Sequence, residues 1–257
     1  MTALCPPPPT HRVRTDLARN VGVLGALWVV YSLVRSVAGD DFDVALANAE
    51  RVLAIQDVAG FAWEAGLQEL LYARPLFYVA NVYYLVHFPV TVGVLAYTFC
   101  RHRFGVFPRF RGALVLTTLS AMAIHVLFPL APPRMLDGFL DTGAVYGPNP
   151  YAIPGSEGAN QIAAMPSLHV SWAILVALAL RHVGRPLVGR IGIAHAVMTA
   201  FVVVVTANHF VVDVAAGAAI AVAAWWLASH RLISRCAPSP ERLDSSAELT
   251  EPLGRAG

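Results

Sequence analysis

The sequence predicts an all-α fold: a polytopic membrane protein built as a six-transmembrane-helix bundle with both termini cytoplasmic. Three observations predict it. Hydrophobic residues make up 57% of the 257 positions and charged residues only 13%, against about 25% charged in a soluble domain. The apolar residues gather into runs near the roughly 20 residues needed to cross a bilayer. The arginines alternate along the chain between connections rich and poor in positive charge.

Six runs qualify or nearly qualify as spans: 17–38, 75–100, 112–130, 167–180, 187–207 and 210–229. The fourth is short. The first has the charge profile of a signal peptide, and Ser36-Val37-Ala38 resembles a cleavage site. Retaining it gives the more coherent topology. Residues 1–16, with Pro6-Pro7-Pro8-Pro9, Arg12 and Arg14, predict a disordered basic tail. Residues 236–257, rich in Pro, Ser and Glu, predict another. The membrane domain is expected to occupy 17–235.

The connections set the orientation. Arg12, Arg14 and Arg19 precede or open the first span. Arg101, Arg103, Arg109 and Arg111 lie between the second and third. Arg181, Arg185 and Arg190 lie between the fourth and fifth, and Arg231, Arg235, Arg242 and Arg255 follow the sixth. The intervening connections are acidic or nearly free of arginine. By the positive-inside rule the basic connections are cytoplasmic and the other three lie outside. The first outer connection, 43–73, places Val44, Val52, Ile55, Phe61, Trp63, Leu67, Leu70 and Leu71 at roughly helical spacing. It predicts one amphipathic helix at the membrane surface, which roofs the site, guides a lipid into it, or serves packing alone. The second, 131–166, holds Gly147-Pro148-Asn149-Pro150-Tyr151 and 155–160, a density of turn formers that predicts a loop. Its length suits a headgroup lid.

Composition also excludes. All eighteen basic residues are arginine, so chemistry that needs a lysine is ruled out. A net charge of +2 points to no nucleic-acid partner. Cys5, Cys100 and Cys236 have neither CxxC spacing nor a His-rich neighbourhood, so no metal site is expected.

Ionisable residues at the ends of apolar runs read as a functional site. His209 and Asp213 stand at i and i+4, on one face of a helix. Asp213 is expected to accept the Nδ1 proton of His209, leaving Nε2 free to attack. A buried polar pair tying helices together is the competing reading. His169 follows Pro166 and Ser167, a combination suited to a helix start, where free amides favour an anion. His169 is placed to act as general acid, and Ser167 to bind a phosphate oxygen. Arg134 ends the proline-rich stretch Pro129-Leu130-Ala131-Pro132-Pro133. Its guanidinium suits a phosphate in bidentate fashion. All of these lie at outer connections.

Taken together, Ala131-Pro132-Pro133-Arg134, Ala164-Met165-Pro166-Ser167-Leu168-His169 and Asn208-His209-Phe210-Val211-Val212-Asp213 resemble, in order and spacing, the type 2 phosphatidic acid phosphatase superfamily. They resemble more closely its inositolphosphotransferase branch, which includes inositol phosphorylceramide synthases. The resemblance extends over about residues 70–230. It implies a membrane-embedded enzyme that acts on a lipid phosphoester at the outer face without a cofactor or metal. In that mechanism His209 attacks phosphorus and forms a phosphohistidine, Asp213 supports it, and His169 protonates the leaving group and then activates water or a hydroxyl.

The departures are informative. Leu127 stands where the superfamily has a Lys, Val203 where it has an Arg, and Leu168 where it has a Gly. The inositolphosphotransferase-like branch tolerates such changes. Phosphate then depends on Arg134, helix-end amides and a further histidine. His87, after Asn81-Val82-Tyr83-Tyr84, is the candidate, with a structural interhelical bond as its other reading. His125 reads as structural, and His102, His182, His195 and His230 are given no role. The alternative class is a non-catalytic transporter or structural membrane protein. A pump would place its ionisable residues at mid-bilayer, whereas these gather at one face. The sequence sets neither the lipid, the acceptor nor the oligomeric state.

Overall fold

The computed structural model describes residues 13–37, 41–71, 74–102, 104–149, 152 and 161–236. Most of both expected tails, the Ala38 end of the cleavage-site match, and 150–151 and 153–160 of the expected lid lie outside the described residues.

The apolar runs fold as helices. In chain order they are α1 (Val13–Val37), α2 (Phe42–Val58), α3 (Glu64–Leu70), α4 (Arg74–His102), α5 (Val106–Leu127), α6 (Thr142–Tyr146), α7 (Leu168–His182), α8 (Pro186–Val205) and α9 (Val211–Cys236). Among the described residues four helical stretches are long and apolar enough to cross a membrane: Pro75–His102, Val106–Leu127, Pro186–Val205 and Val211–His230. The fold is that of an all-α polytopic membrane protein. The fourth expected span is α7, a shorter apolar helix of 15 residues. The 25 residues of α1 match the length of a span; it packs on α5, where Arg111 donates to Asn20.

The single amphipathic helix expected over 43–73 is instead two helices. Gly60 takes φ 76°, a left-handed conformation that glycine adopts without a Cβ penalty, and it ends α2. The chain turns through Phe61 and Trp63 into the seven residues of α3. Ile55, Val58, Trp63 and Leu70 stay exposed, while Gln56, Glu64 and Gln68 are buried. The hairpin thus buries Gln56, Glu64 and Gln68 together with Ala45, Ala49 and Val52, and exposes Ile55, Val58, Trp63 and Leu70 among charged residues such as Asp57 and Glu69. Gln68 donates to the carbonyls of Leu140 and Val205, which ties α3 to the loop before α6 and to the end of α8.

The bundle is centred on α7, which packs against α5, α8 and α9. Phe107, Phe110, Leu114, Leu175, Val176 and Trp225 form much of its core. Val79, Phe88, Val126, Ile191, Val197 and Val222 face outward. Thr91, Thr117, Thr118, Ser171 and Thr199 are buried between helices. Apolar groups outward and small polar groups inward suit a lipid surround.

Glycines set the closest approaches. A Cβ on Gly217 of α9 would fall 2.5 Å from the Ser167 carbonyl oxygen, and one on Gly192 of α8 would fall 2.9 Å from Ala177 Cα. Ser171 Oγ bridges the first contact, donating to the Gly217 carbonyl at 2.9 Å. Gly217→Ala is therefore expected to destabilise the bundle by about 1–3 kcal/mol through overpacking. A lowered thermal midpoint in detergent checks this. An unchanged midpoint would mean that α7 and α9 can separate freely.

Candidate active site

The site forms where α5 ends, α7 begins and the α8–α9 turn closes. A short parallel bridge aligns two of these segments: Leu130 N–H donates to Ile162 O at 2.9 Å, and Ala164 N–H to Leu130 O at 3.0 Å. Ala131 N–H reaches Ala45 O on α2. Phe210, Leu130, Ala131, Ile162 and Ala164 are buried together beneath α2. The Ala164 carbonyl is thereby fixed in place.

His209 lies in the turn between α8 and α9 and is 4% exposed. Thr206 Oγ1 donates to Val202 O, Asn208 Nδ2 donates to Thr206 Oγ1, and the amides of Asn208 and His209 both donate to Val203 O. Ala207 takes φ 53°, a left-handed conformation unusual for a residue with a Cβ. Such strain persists only where the surroundings hold it.

The expected partnership of His209 with Asp213 is corrected in its geometry. His209 Nδ1–H donates to the Ala164 carbonyl at 2.8 Å. Asp213 Oδ2 lies farther from Nδ1, at 3.6 Å, and instead accepts from Phe210 N–H at 2.8 Å. A main-chain carbonyl can only accept, so Nδ1 carries the proton and Nε2 is the free nitrogen. Burial foremost pushes the His209 imidazole down to about 4; the Ala164 bond opposes this and the Arg134 guanidinium adds to it. The ring is neutral at pH 7.

His169 opens α7. Ser167 is the N-cap, its Oγ accepting from Val170 N–H at 3.4 Å, as its place in the sequence suggests. Ser167 N–H donates to Asp213 O, which locks α7 to α9. The His169 ring stacks on Tyr84 with centroids 4.1 Å apart and lies 5.7 Å from the His209 ring. The two catalytic candidates are thus neighbours.

Arg134 follows in a 3-10 turn and is 8% exposed. Its amide donates to Ala207 O at 2.9 Å and its Nη1 to Asn208 Oδ1 at 2.9 Å. Asp141 Oδ2 lies 3.7 Å from Nε. The arginine is gripped by the turn that carries His209, so a separation of 74 positions in sequence closes to a direct bond with Asn208, the residue next to His209.

His87 is brought to the same place from α4. Its ring lies 5.2 Å from that of His169 and 5.5 Å from that of His195, and among the described residues neither of its nitrogens meets a protein partner. Among the described residues no interhelical hydrogen bond to the His87 ring is present. His195, given no role from sequence, accepts or donates at Nδ1 with Tyr83 OH at 2.6 Å. His125 sits as a structural residue, 3.3 Å from the Pro166 carbonyl.

Sequence reasoning passed over Tyr84, Asp141 and the Ala164 carbonyl. Asn208 lies inside a quoted motif, next to His209, and its adjacency was the available signal. The described residues contain no group of three or more His, Cys, Asp or Glu arranged to hold a metal ion.

A family model described as the PAP2 superfamily matches residues 50–227. That span includes Arg134, Ser167, His169, His209 and Asp213. Comparison with curated proteins and with solved structures gave no match.

Proposed function

The chain belongs to the PAP2 (type 2 phosphatidic acid phosphatase) superfamily, and from that premise we propose that it transfers a phosphoryl group from a lipid phosphoester through a phosphohistidine on His209. Membrane-associated phosphoryl transfer is the chemistry typical of that superfamily. The observation that carries the reading is the Nδ1–H bond of His209 to Ala164 O, which leaves a neutral Nε2 beside His169 and Arg134.

In the proposed first step Nε2 of His209 attacks phosphorus, the bond from phosphorus to the leaving oxygen breaks, and His169 gives that oxygen a proton. In the second, His169 takes the proton of water or a hydroxyl, the new oxygen attacks phosphorus, and the phosphorus–nitrogen bond breaks. Arg134, with Ser167 at the α7 start, stabilises the phosphate charge; such positioned donors supply most of the rate in phosphoryl transfer. Asp213 holds the turn that carries His209 through its bond from Phe210 N–H. His87, with both nitrogens unengaged beside His169, is suited to the phosphate or headgroup.

The reading includes six spans, counting α1 and α7, with the site at the outer face. The helices alternate in direction, so Arg101, Arg181 and Arg185 lie at the end of the bundle opposite His209. The arginine bias supports a cytoplasmic position for that end. Absence of the superfamily's usual Lys and Arg at Leu127 and Val203 favours the inositolphosphotransferase-like branch, with a lipid hydroxyl as acceptor, over a lipid phosphatase.

Purified protein offered a panel of phospholipids and prenyl phosphates, with and without inositol, tests the reading. A new phosphodiester is expected when an acceptor lipid is present. Free phosphate alone would assign a phosphatase, and no turnover of any phosphoester would overturn the proposal.

A further inference from the structure

The first turn of α9 begins two residues after the nucleophile and contains Asp213. Like every helix start it has main-chain N–H groups without partners in the helix. A serine, threonine, aspartate or asparagine at the cap usually serves them locally. Here the residue before α9 is Phe210, which has no polar side chain. Asp213 serves only the Phe210 amide.

The next two amides are served from the outer hairpin. Val211 N–H donates to Glu64 Oε1 at 2.7 Å, and Val212 N–H to Gln56 Oε1 at 2.9 Å. Gln56 Nε2 donates to the same Glu64 oxygen at 2.7 Å. Glu64 is 0% exposed and Gln56 1%. These acceptors come from positions 147 and 156 residues earlier in the chain. A carboxylate at a helix N-terminus also meets the positive end of the helix dipole. Nothing else described explains the burial of a glutamate on a helix of seven residues.

We propose that Glu64, with Gln56 beside it, is a positioning residue for the nucleophile: the outer hairpin caps α9 from outside and thereby fixes where His209 stands. The cap acts through its oxygen acceptors on the two valine amides. It is not a group that touches substrate. His209 is two residues before the Val211 amide, and its own bond to Ala164 O leaves no slack. Loss of the cap lets the first turn of α9 fray and takes His209 out of line with the phosphate. A misplacement of about 1 Å costs about 10²-fold in rate when geometry carries the chemistry.

The kinetic part of the test rests on the phosphoryl-transfer reading; the exchange part does not. Glu64→Ala, Glu64→Gln and Gln56→Ala would be compared with the full-length wild type in detergent. Hydrogen exchange would be followed in peptides spanning 208–216. Glu64→Ala is expected to lose protection there and to lose about 10²-fold in kcat with KM within about threefold. Glu64→Gln keeps an acceptor oxygen and is expected to restore both. Gln56→Ala, a milder change that removes one acceptor, should deprotect the same peptides to a smaller degree. Wild-type protection in both alanine variants would overturn the proposal. So would a Glu64→Gln protein as slow as Glu64→Ala with protection intact, because the carboxylate would then act in the chemistry itself. Deprotection in a protein whose wild type turns over no phosphoester would support the cap while overturning the reaction.

Discussion

Replacing His209 by alanine is expected to reduce turnover of the lipid phosphoester by about 10⁴-fold or more, because the covalent step loses its nucleophile. Folding should survive. The ring makes one hydrogen bond, to Ala164 O, and the turn is otherwise held by main-chain and Thr206 contacts. The measurement is turnover together with trapping of labelled phosphate on the protein: wild type should carry it and His209→Ala should not. A trapped label in the variant would move the nucleophile elsewhere. The same imidazole fixes a pH dependence. Attack needs the neutral ring, and its value is pushed down to about 4, below the 6.5 of a free histidine. Lowering the pH from 7 to 5 should leave the nucleophile competent. The acid limb of kcat/KM assigned to His209, which reports the free enzyme, should therefore appear near 4. A limb at 6.5 or above would mean that the ring is more open to water than its burial implies.

Replacing His169 by alanine is expected to cost about 10²–10⁴-fold with a natural lipid substrate, the usual contribution of a positioned acid or base. The sharper expectation concerns the leaving group. A nitrophenyl phosphoester expels a stable anion and needs little protonation. With that substrate the first step should be nearly rescued in His169→Ala, while the second still lacks its base. The variant should therefore release a burst of about one equivalent of nitrophenolate and then stall. Equal losses with both substrates and no burst would remove His169 from proton transfer. They would leave it a packing residue against Tyr84, with which its ring is stacked.

The two histidines and Arg134 were legible in the sequence because their signals are local. His209 and Asp213 share a motif of six residues, and the capping serine stands two residues before His169. The long apolar helices were legible because a lipid surround requires long apolar runs. What the sequence hid lies in contacts between distant segments. Nothing in the row of residues shows that the partner of Nδ1 is the carbonyl of Ala164, 45 positions away. An i, i+4 carboxylate was the nearer candidate, and it proved to be engaged with Phe210 N–H. The segment 43–73 looked like one amphipathic helix because its apolar spacing carries across Gly60, where a positive φ breaks it. Glu64 and Gln56 carry no signal of their own in the row of residues. Polar residues on a surface helix usually meet water, and only the docking of the hairpin turns these two inward.

The bond between His209 and Ala164 has a consequence for how such a protein tolerates variation. A side-chain orienter can be deleted by a single base change, whereas a peptide oxygen is supplied by whatever residue occupies the position. The tautomer of the nucleophile is thus encoded by the course of the backbone, through the pairing of Leu130 with 162–164, and not by the identity of residue 164. Residue 164 is held by its burial and by its own N–H bond to Leu130, not by any chemistry of its side chain, and a shift in the course of the chain there cannot be tolerated.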